Sequence, residues 1–295
     1  MIDQAEKLRN VFRMQYEENL RPDVLARVIT VASGKGGVGK TNFAVNLALA
    51  LNRLGKRVVV IDADFGLANI ELIFGCTPRY TLADVFAGER DIDEIVSDGP
   101  MGVKFISGGM GLKSFNQITE IQMKHLLRSF TRLDKISDIV IIDTGAGISR
   151  SVVDFVKASK ETIVITTPEP TSIADAYALL KSASGISDTA IFKLVVNKAD
   201  NVSECDEAAK RIRMVSRRFL GIEVEYLGFI PNDQYLVKAV KKQEAVSLSY
   251  PAAPFSKAVR SIAEALVMET AAAGNYSIDS KKGIVSFFKR LVNYS

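Results

Sequence analysis

The segment Gly34-Lys-Gly-Gly-Val-Gly-Lys-Thr41 constrains this chain more than any other feature of its sequence. It fits the pattern GxxxxGK[ST], follows an apolar run at Val28–Ala32 and opens a helical pattern from Asn42 to Leu54. In that context the glycines let backbone N–H groups surround phosphate oxygens, and the helix N-terminus adds partial positive charge. The segment therefore predicts a nucleotide-phosphate site at the carboxyl end of a β-strand.

The residues of this loop have separate chemical roles. Lys40 is placed to reach the β- and γ-phosphates, and the Thr41 hydroxyl is placed to ligate a metal ion. Mg²⁺ is the expected metal, because it prefers oxygen ligands and phosphates. The predicted phosphate contacts are Gly34, Lys35, Gly36, Gly37, Val38, Gly39, Lys40, Thr41 and Asn42.

Apolar runs alternate with helical patterns along residues 27–270. Several runs are continuous in Val and Ile, which indicates parallel strands buried on both faces. Repeated strand–helix units predict an α/β fold with a doubly wound, mostly parallel sheet flanked by helices. Ligands on such sheets bind beyond the carboxyl ends of the strands. The predicted strands are Val28–Ala32, Val58–Ile61, Val103–Ile106, Ile139–Ile142, Thr162–Ile165, Phe192–Val196 and Tyr226–Ile230.

Scarce residue types exclude several kinds of site. The chain of 295 residues has one histidine, His125, and two cysteines, Cys76 and Cys205. A His-rich zinc site, a CxxC pair and a disulfide framework are therefore excluded. We expect a cytoplasmic protein, since no run of about 18 apolar residues occurs and the N-terminal residues are charged. The net charge of +4 is too small to predict a nucleic-acid partner.

Three carboxylates follow predicted strands and are candidates for the chemistry of hydrolysis. Asp62 and Asp64 end the second strand, and Asp143 ends the fourth. Asp64 is placed to position the attacking water, while Asp62 and Asp143 are candidates to support Mg²⁺, Asp62 through a water. The Gly145 backbone is a candidate sensor of the γ-phosphate. The alternative for Asp62 or Asp64 is a cap on the following turn.

The C-terminal residues form a basic and apolar segment. Residues 271–280 indicate a linker, and residues 281–295 hold four basic residues and no acidic ones, which equals the whole net charge of +4. Apolar side chains with helical spacing beside basic ones are typical of a helix at an anionic membrane surface. The alternative is a helix packed on its own domain, and the two can alternate with nucleotide state. The predicted membrane contacts are Ile284, Phe287, Phe288, Lys289, Arg290 and Leu291.

Two features of the nucleotide motifs point to a known family. Lys35 follows the first glycine of the loop, as in the deviant Walker A sequence KGGxxKT, and residues 62–75 read DADFGLANIELIFG. With these features the chain resembles the MinD/ParA family of dimerising ATPases. The resemblance implies slow, dimer-dependent ATP hydrolysis with ATP and Mg²⁺ as cofactors. It also implies that Lys35 reaches phosphate in the partner's site, and that Lys35, Lys40 and Asp64 are the catalytic residues.

Two later loops are candidates for the base pocket. Residues 195–200 read VVNKAD, in which residues 197–200 spell NKxD after a strand, and residues 229–233, FIPND, resemble the family's second base-side loop. In G-proteins the aspartate of NKxD reads guanine, whereas in MinD-like ATPases only the asparagine is expected to touch the base. ATP is therefore favoured, GTP is the alternative, and the role of Asp200 stays open. The predicted base-side residues are Asn197, Lys198, Pro231, Asn232 and Asp233.

The N-terminal residues narrow the resemblance. Residues 1–26 have apolar residues at roughly helical spacing and contain DQAxxLR at residues 3–9. This segment resembles the FlhG (YlxH/FleN) group of flagellar-number regulators. The resemblance implies that residues 1–26 are an activator segment in which Gln4 stimulates the GTPase FlhF.

The resemblance to that group also implies a function and partners. We expect regulation of flagellar number or placement by an ATP-bound homodimer, reversibly attached to the cytoplasmic face of the inner membrane. FlhF, an anionic membrane surface, and flagellar C-ring or transcriptional proteins are the expected partners. The alternatives are placement of the cell-division site and a nucleotide-binding scaffold without significant hydrolysis.

Overall fold

The computed structural model describes residues 25–65, 69–109, 120–185, 190–272 and 283–294. The strands are β1 (Arg27–Ser33), β2 (Val58–Ala63), β3 (Ser97–Asp98), β4 (Lys104–Ile106), β5 (Ile139–Ala146), β6 (Glu161–Thr166), β7 (Ile191–Ala199) and β8 (Val224–Pro231). The helices are α1 (Lys40–Arg53), α2 (Ile70–Phe74), α3 (Leu82–Phe86), α4 (Ile92–Ile95), α5 (Glu120–Ile136), α6 (Arg150–Ala158), α7 (Pro170–Ala183), α8 (Val202–Leu220), α9 (Gln234–Lys241), α10 (Val246–Ser249), α11 (Pro254–Ala272) and α12 (Ile284–Tyr294).

The strands form one sheet in the order β3-β4-β2-β5-β1-β6-β7-β8. Neighbouring strands are parallel except β3 and β4, which are antiparallel. The strand β1 lies between β5 and β6, and Asp62 pairs directly with Asp143 across β2 and β5. The loops after β1, β2 and β5 therefore meet at one edge of the sheet, which is where ligands bind in such folds. The predicted doubly wound α/β fold is confirmed.

Helices cover both faces of the sheet because its central strands are apolar on both sides. In β2, Val58 and Val60 belong to a core cluster that includes α1 and α11. Val59 and Ile61 point the other way, into a cluster that includes α5 and α12. This alternation follows from the two-residue period of a strand, and it explains why the run has no polar face.

All seven predicted strands are present, although their ends differ. The third is one residue shorter than predicted, at Lys104–Ile106, whereas the others match or extend the predicted runs. The short edge strand Ser97–Asp98 was not predicted, because two residues show no periodicity. Residues 1–24 and 273–282 lie outside the described residues, so the activator segment, Gln4 and most of the linker stay predictions. The helix Pro254–Ala272 runs past the predicted domain boundary at residue 270.

The C-terminal helix α12 is packed into the domain. The ring of Phe288 stacks on Phe130 with 3.8 Å between centroids and 11° between planes. Arg290 Nε donates a hydrogen bond of 2.6 Å to the carbonyl of Ala158, and Lys289 is half-buried. The buried apolar side chains of this helix are Ile284, Val285, Phe287, Phe288 and Leu291. The structure thus shows the packed alternative, and contact of these residues with a membrane stays a prediction. In the described part of the chain, no helix has the length and apolar character needed to cross a membrane.

Asp134 ties the C-terminal helix to the start of the domain. Its Oδ1 accepts hydrogen bonds of 3.2 Å from the backbone N–H of both Ala26 and Ile284. Burial raises the pKa of Asp134 to about 6, although these two hydrogen bonds act in the opposite direction. A Cβ at Gly283 would lie 3.1 Å from this carboxylate, and the φ of +92° also favours glycine there. One carboxylate therefore holds both the entry to β1 and the start of α12.

Candidate nucleotide site

The loop between β1 and α1 has the backbone that phosphate binding needs. Gly37 and Gly39 have φ of +74° and +92°, which glycine adopts without strain. Gly39 precedes the first turn of α1 and caps it with no side chain, so the N–H groups there are left for an anion. A Cβ at Gly34 would lie 2.1 Å from the carbonyl oxygen of Asp175, so only glycine fits where the loop meets α7. The loop is therefore both shaped and anchored by its glycines.

A buried ion pair links this loop to β5. Lys40 Nζ lies 2.6 Å from Asp143 Oδ1, with side chains 7% and 1% exposed. The Thr41 side chain also lies close to Asp143. Burial raises the pKa of Asp143, while Lys40 and Thr41 oppose that shift. Asp143 Oδ2 is buried without a hydrogen-bond partner among the described residues. That oxygen, beside the Thr41 hydroxyl, fits a site for a hard cation such as Mg²⁺.

The described residues hold no complete metal cage. No group of three or more His, Cys, Asp or Glu side chains in the described ranges is arranged to bind a metal ion. This fits Mg²⁺ bound with nucleotide, because that ion usually takes one or two protein ligands together with phosphates. Thr41 and Asp143 are the residues placed to hold it.

Asp62 has a structural role in the loop that follows β2. Its Oδ1 accepts from the Asp64 N–H at 3.0 Å, and its Oδ2 accepts from the N–H groups of Asn69 and Ile70 at 3.1 and 3.4 Å. Burial, with a smaller effect of Asp143, raises the pKa of Asp62 to about 7. These bonds match the capping alternative for Asp62, and its contact with Mg²⁺ through a water stays a prediction.

Asp64 and Gly145 lie close together at the mouth of the site. A Cβ at Gly145 would lie 3.8 Å from Asp64 Oδ1, and the charge of Asp64 contributes to the raised pKa of Asp143. The loop that carries Gly145 is joined to β1, since the N–H of Gly147 donates to the carbonyl of Ser33 at 2.9 Å. The structure therefore brings the predicted water-positioning carboxylate and the predicted γ-phosphate sensor together.

Lys35 makes its contacts with the loop after β6. Its Nζ lies 2.7 Å from Glu169 Oε2 and 2.9 Å from Thr171 Oγ1. The hydrogen bond from Lys35 lowers the pKa of Glu169. Sequence reasoning missed Glu169 and Thr171. The available signal was their place in the chain, since Glu169 and Pro170 follow a parallel strand and stand at the start of a helix.

Three of the predicted base-side residues bind backbone groups of the domain through their side chains. Asn197 Nδ2 donates to the carbonyl of Val38, and Lys198 Nζ donates to the carbonyl of Gly37, both at 2.7 Å. These two side chains clamp the phosphate loop from β7. Asp233, in contrast, is buried, and its two oxygens accept from the N–H groups of Tyr235 and Phe255. Asp233 thus caps α9 and holds the start of α11, and its contact with a nucleotide stays a prediction.

The other two base-side residues lie at the end of β8. Pro231 pairs with Ala199 across β7 and β8, and the N–H of Asn232 donates to the carbonyl of Ala199 at 2.9 Å. Asn232 and Asp200 are exposed, and Asn232 Nδ2 donates to Asp200 Oδ1 at 3.3 Å. Lys198 and Asp200 also line a cavity of about 360 Å³. This edge is therefore open to a ligand.

Comparison with known sequences identifies relatives over most of the chain. The ParA family model, described as NUBPL iron-transfer P-loop NTPase, matches residues 24–267. The antiactivator FleN of Pseudomonas aeruginosa is 40% identical over 238 residues, covering 81% of this chain and 85% of FleN. The flagellum site-determining protein YlxH of Helicobacter pylori is 32% identical over 298 positions, covering 100% of this chain and 99% of YlxH.

Comparison with solved structures agrees with these sequence matches. The crystal structure of the cell division ATPase MinD from Pyrococcus furiosus matches with a TM-score of 0.67 at 25% identity, covering 83% of this chain and 100% of MinD. The family description names iron transfer, but the two cysteines of this chain are not paired to hold iron. Cys205 is buried, and Cys76 is half-buried in another part of the fold.

Proposed function

Because this chain belongs to the ParA/MinD family of P-loop NTPases, we propose that it is an ATPase whose ATP-bound dimer regulates the number or placement of flagella. Its cofactors are ATP and Mg²⁺. The buried Lys40–Asp143 pair beside Thr41 supports this assignment, since it places a phosphate-binding cation and a metal-binding carboxylate together at a helix N-terminus. Release of phosphate from ATP by the purified protein, with and without lipid, tests the activity. No release above a Lys40→Ala control would contradict it.

The residues of the site have separate tasks in hydrolysis. Bound phosphate competes with Asp143 for the ammonium of Lys40, which frees the carboxylate for the metal ion. Thr41 and Asp143 would hold Mg²⁺ together with the phosphates, and the ion would supply positive charge opposite the transferred group. Asp64 orients the attacking water and accepts its proton. Gly145, next to Asp64, offers its backbone to the γ-phosphate. Turnover is slow, because in this proposal hydrolysis acts as a timer for the dimer.

Dimerisation is proposed to depend on Lys35. Its ammonium contacts Glu169 and Thr171 rather than the loop that carries it. Its side chain is 37% exposed, and that of Glu169 is 63% exposed, so a second chain can reach this pair. An exposed ion pair is weak and exchanges readily for a phosphate group. We propose that Lys35 leaves Glu169 for the phosphates bound by a second copy of this chain.

Membrane attachment is proposed to require release of α12. Exposing a buried Phe or Leu side chain to water costs about 1.5–3 kcal/mol, so the helix stays docked unless another apolar environment replaces the core. A lipid surface provides that environment, and Lys289 and Arg290 favour anionic headgroups. Avidity from two helices in a dimer would strengthen otherwise weak binding. Attachment is thus reversible, peripheral, and confined to the cytoplasmic face of the inner membrane.

A row of aromatic contacts connects the segment after β2 to α12. Phe65 follows Asp64 directly, and its ring lies 6.2 Å from that of Phe155. Phe155 in turn lies 6.0 Å from Phe287 of α12. A nucleotide-dependent shift of the segment after β2 would therefore disturb the docking of the helix. Deletion of residues 281–295 should abolish ATP-dependent co-sedimentation with anionic vesicles, and undiminished co-sedimentation would refute the proposal.

The flagellar role is supported by the names of the FleN and YlxH relatives. We propose that Gln4, in the DQAxxLR segment, stimulates the GTPase FlhF, and that flagellar C-ring or transcriptional proteins are further partners. The test is GTP hydrolysis by FlhF with the full chain and with its Gln4→Ala variant. Stimulation that is lost in the variant supports the role. Absence of stimulation by the full chain favours division-site placement, which the MinD likeness also supports.

A further inference from the structure

The helix α12 lies in an apolar groove between α5 and α6. Phe288 stacks on Phe130 of α5, and Ile284 begins α12 beside Asp134, one turn further along α5. The two helices therefore run antiparallel, and Leu127 lies one turn beyond Phe130 on the same face of α5. If α12 moves to a lipid surface, the groove loses its cover. The buried side chains that share a core cluster with α12 include Leu127, Phe130, Leu133, Phe155 and Ala158.

The chain enters β1 at one end of this groove. Asp134 Oδ1 accepts from the N–H of Ala26 as well as from that of Ile284, both at 3.2 Å. Ala26 is buried and belongs to the same core cluster as α12. Residues 1–24 are therefore joined to the domain at the end of the groove where α12 begins.

The sequence before β1 repeats the apolar pattern of α12. A helix over residues 8–18 would match the 11 residues of α12, each about 16 Å long. The five residues 21–25 can extend to about 17 Å, so this segment can reach the groove from Ala26. The side chains that share the spacing i, i+3, i+4 and i+8 are Leu8, Val11, Phe12 and Tyr16 in the N-terminal segment, and Ile284, Phe287, Phe288 and Val292 in α12.

We propose that residues 8–20 of this chain bind the groove when α12 leaves it, so that the two ends of the chain exchange in one site. The inference rests on the proposed attachment of α12 to lipid. A segment tethered by a few residues has an effective concentration of about millimolar at the groove, which favours it over a separate partner. The segment leads away from Ala26 against its own chain direction, so it lies parallel to α5 and brings Phe12 towards Leu127.

The exchange links membrane attachment to the activator role proposed for the N-terminal residues. While α12 occupies the groove, residues 8–20 are available to a partner such as FlhF. While α12 is on lipid, the groove holds them. Coupling between two binding events is reciprocal. A partner that binds the N-terminal residues therefore favours the return of α12 to the groove and release of the protein from the membrane.

Disulfide formation between Phe12→Cys and Leu127→Cys tests the proposal, in a full chain where Cys76→Ser removes the half-buried native thiol. Oxidation with copper–phenanthroline should give little disulfide in solution. On anionic vesicles with Mg²⁺ and ATP the yield should rise by about tenfold, as the tethered segment fills the groove. Asn10→Cys with Leu127→Cys is the matched control, because residue 10 lies on the opposite face of the predicted helix and should not form the bond.

Deletion of residues 281–295 separates this inference from the proposed function, because it empties the groove without lipid. The deleted chain should form the disulfide in solution. A folded deleted chain that forms none would overturn the inference, whatever the vesicles show. A disulfide in the deleted chain, with a full chain that does not sediment with vesicles, would support the exchange and contradict membrane attachment. If the deleted chain does not fold, the full-length variant Phe287→Ser/Phe288→Ser empties the groove instead.

Two further outcomes would assign other occupants. A disulfide that joins two chains, seen as a doubled mass on a non-reducing gel, would give the groove to a second copy and overturn the inference. Protection of Phe12→Cys from a maleimide on vesicles, with no disulfide formed, would place the N-terminal segment on lipid and would also overturn it.

Discussion

Replacing Phe130 with alanine should release the C-terminal helix without changing the helix itself. Phe130 lies on α5, is fully buried, and stacks on Phe288 of α12. The substitution removes the ring that stacks on Phe288 and leaves every residue of the proposed membrane segment intact. The expected result is vesicle binding in the absence of nucleotide.

The size of the effect follows from the packing. Substitution of a core phenylalanine by alanine costs about 3–5 kcal/mol, and a stacked aromatic pair contributes about 0.5–1.5 kcal/mol of such a loss. If about half of the cost falls on docking, the docked state loses about 1.5–2.5 kcal/mol. Because about 1.4 kcal/mol is tenfold in an equilibrium constant, the ratio of docked to released helix should fall by about 10- to 70-fold.

Co-sedimentation with anionic vesicles measures this ratio. The Phe130→Ala variant should bind vesicles without ATP, and deletion of residues 281–295 from that variant should abolish the binding. Phe255→Ala is the matched control, because Phe255 is equally buried but belongs to the core cluster on the opposite face of the sheet. Vesicle binding by Phe130→Ala no greater than by Phe255→Ala, with both variants folded, would refute the reasoning.

Three further predictions concern single positions. The pKa of Asp134 is raised from 3.8 to about 6, so the free energy of unfolding should fall by about 3 kcal/mol as pH rises through that range. Urea titrations at several pH values should show a flatter dependence of the free energy of unfolding on pH in Asp134→Asn. An equal dependence in the variant would contradict the prediction. Gly34→Ala should lower the free energy of unfolding by about 1–3 kcal/mol because its Cβ would meet backbone atoms, whereas Gly36→Ala, whose Cβ would make an ordinary 3.9 Å contact with Ala146, should not. Equal unfolding midpoints would refute the clash. Asp233→Ala should lower the free energy of unfolding, measured in urea, by about 1–3 kcal/mol, because two hydrogen bonds to backbone N–H groups are lost. An unchanged unfolding midpoint would argue against the capping role.

The features that the sequence predicted correctly are local ones. The β2 run and the glycine loop carry their signals within about ten residues, through hydrophobic continuity and positions that need glycine. The placement of Asp64 near Gly145 was also predictable, because both follow parallel strands whose carboxyl ends share one edge. Local pattern and fold topology together were sufficient to place these residues at one edge of the sheet.

The features that sequence reasoning missed depend on distant partners. Asp134 bonds to backbone 108 and 150 residues away, and nothing around Asp134 in sequence indicates either partner. The apolar face of α12 suits a lipid surface and a protein core equally, and only the fold places Phe130 opposite that face. The two backbone N–H groups that the Asp233 side chain accepts from belong to Tyr235 and Phe255, and the distance of Phe255 along the chain hides that second bond from sequence reasoning.

Light scattering after size-exclusion chromatography measures whether ATP holds two copies of this chain together. The Asp64→Ala variant with Mg²⁺ and ATP should retain nucleotide and elute as a dimer, since its water-positioning carboxylate is missing. The double variant Lys35→Ala/Asp64→Ala should bind ATP and elute as a monomer. A monomeric Asp64→Ala variant that retains ATP, or a dimeric double variant, would contradict the account.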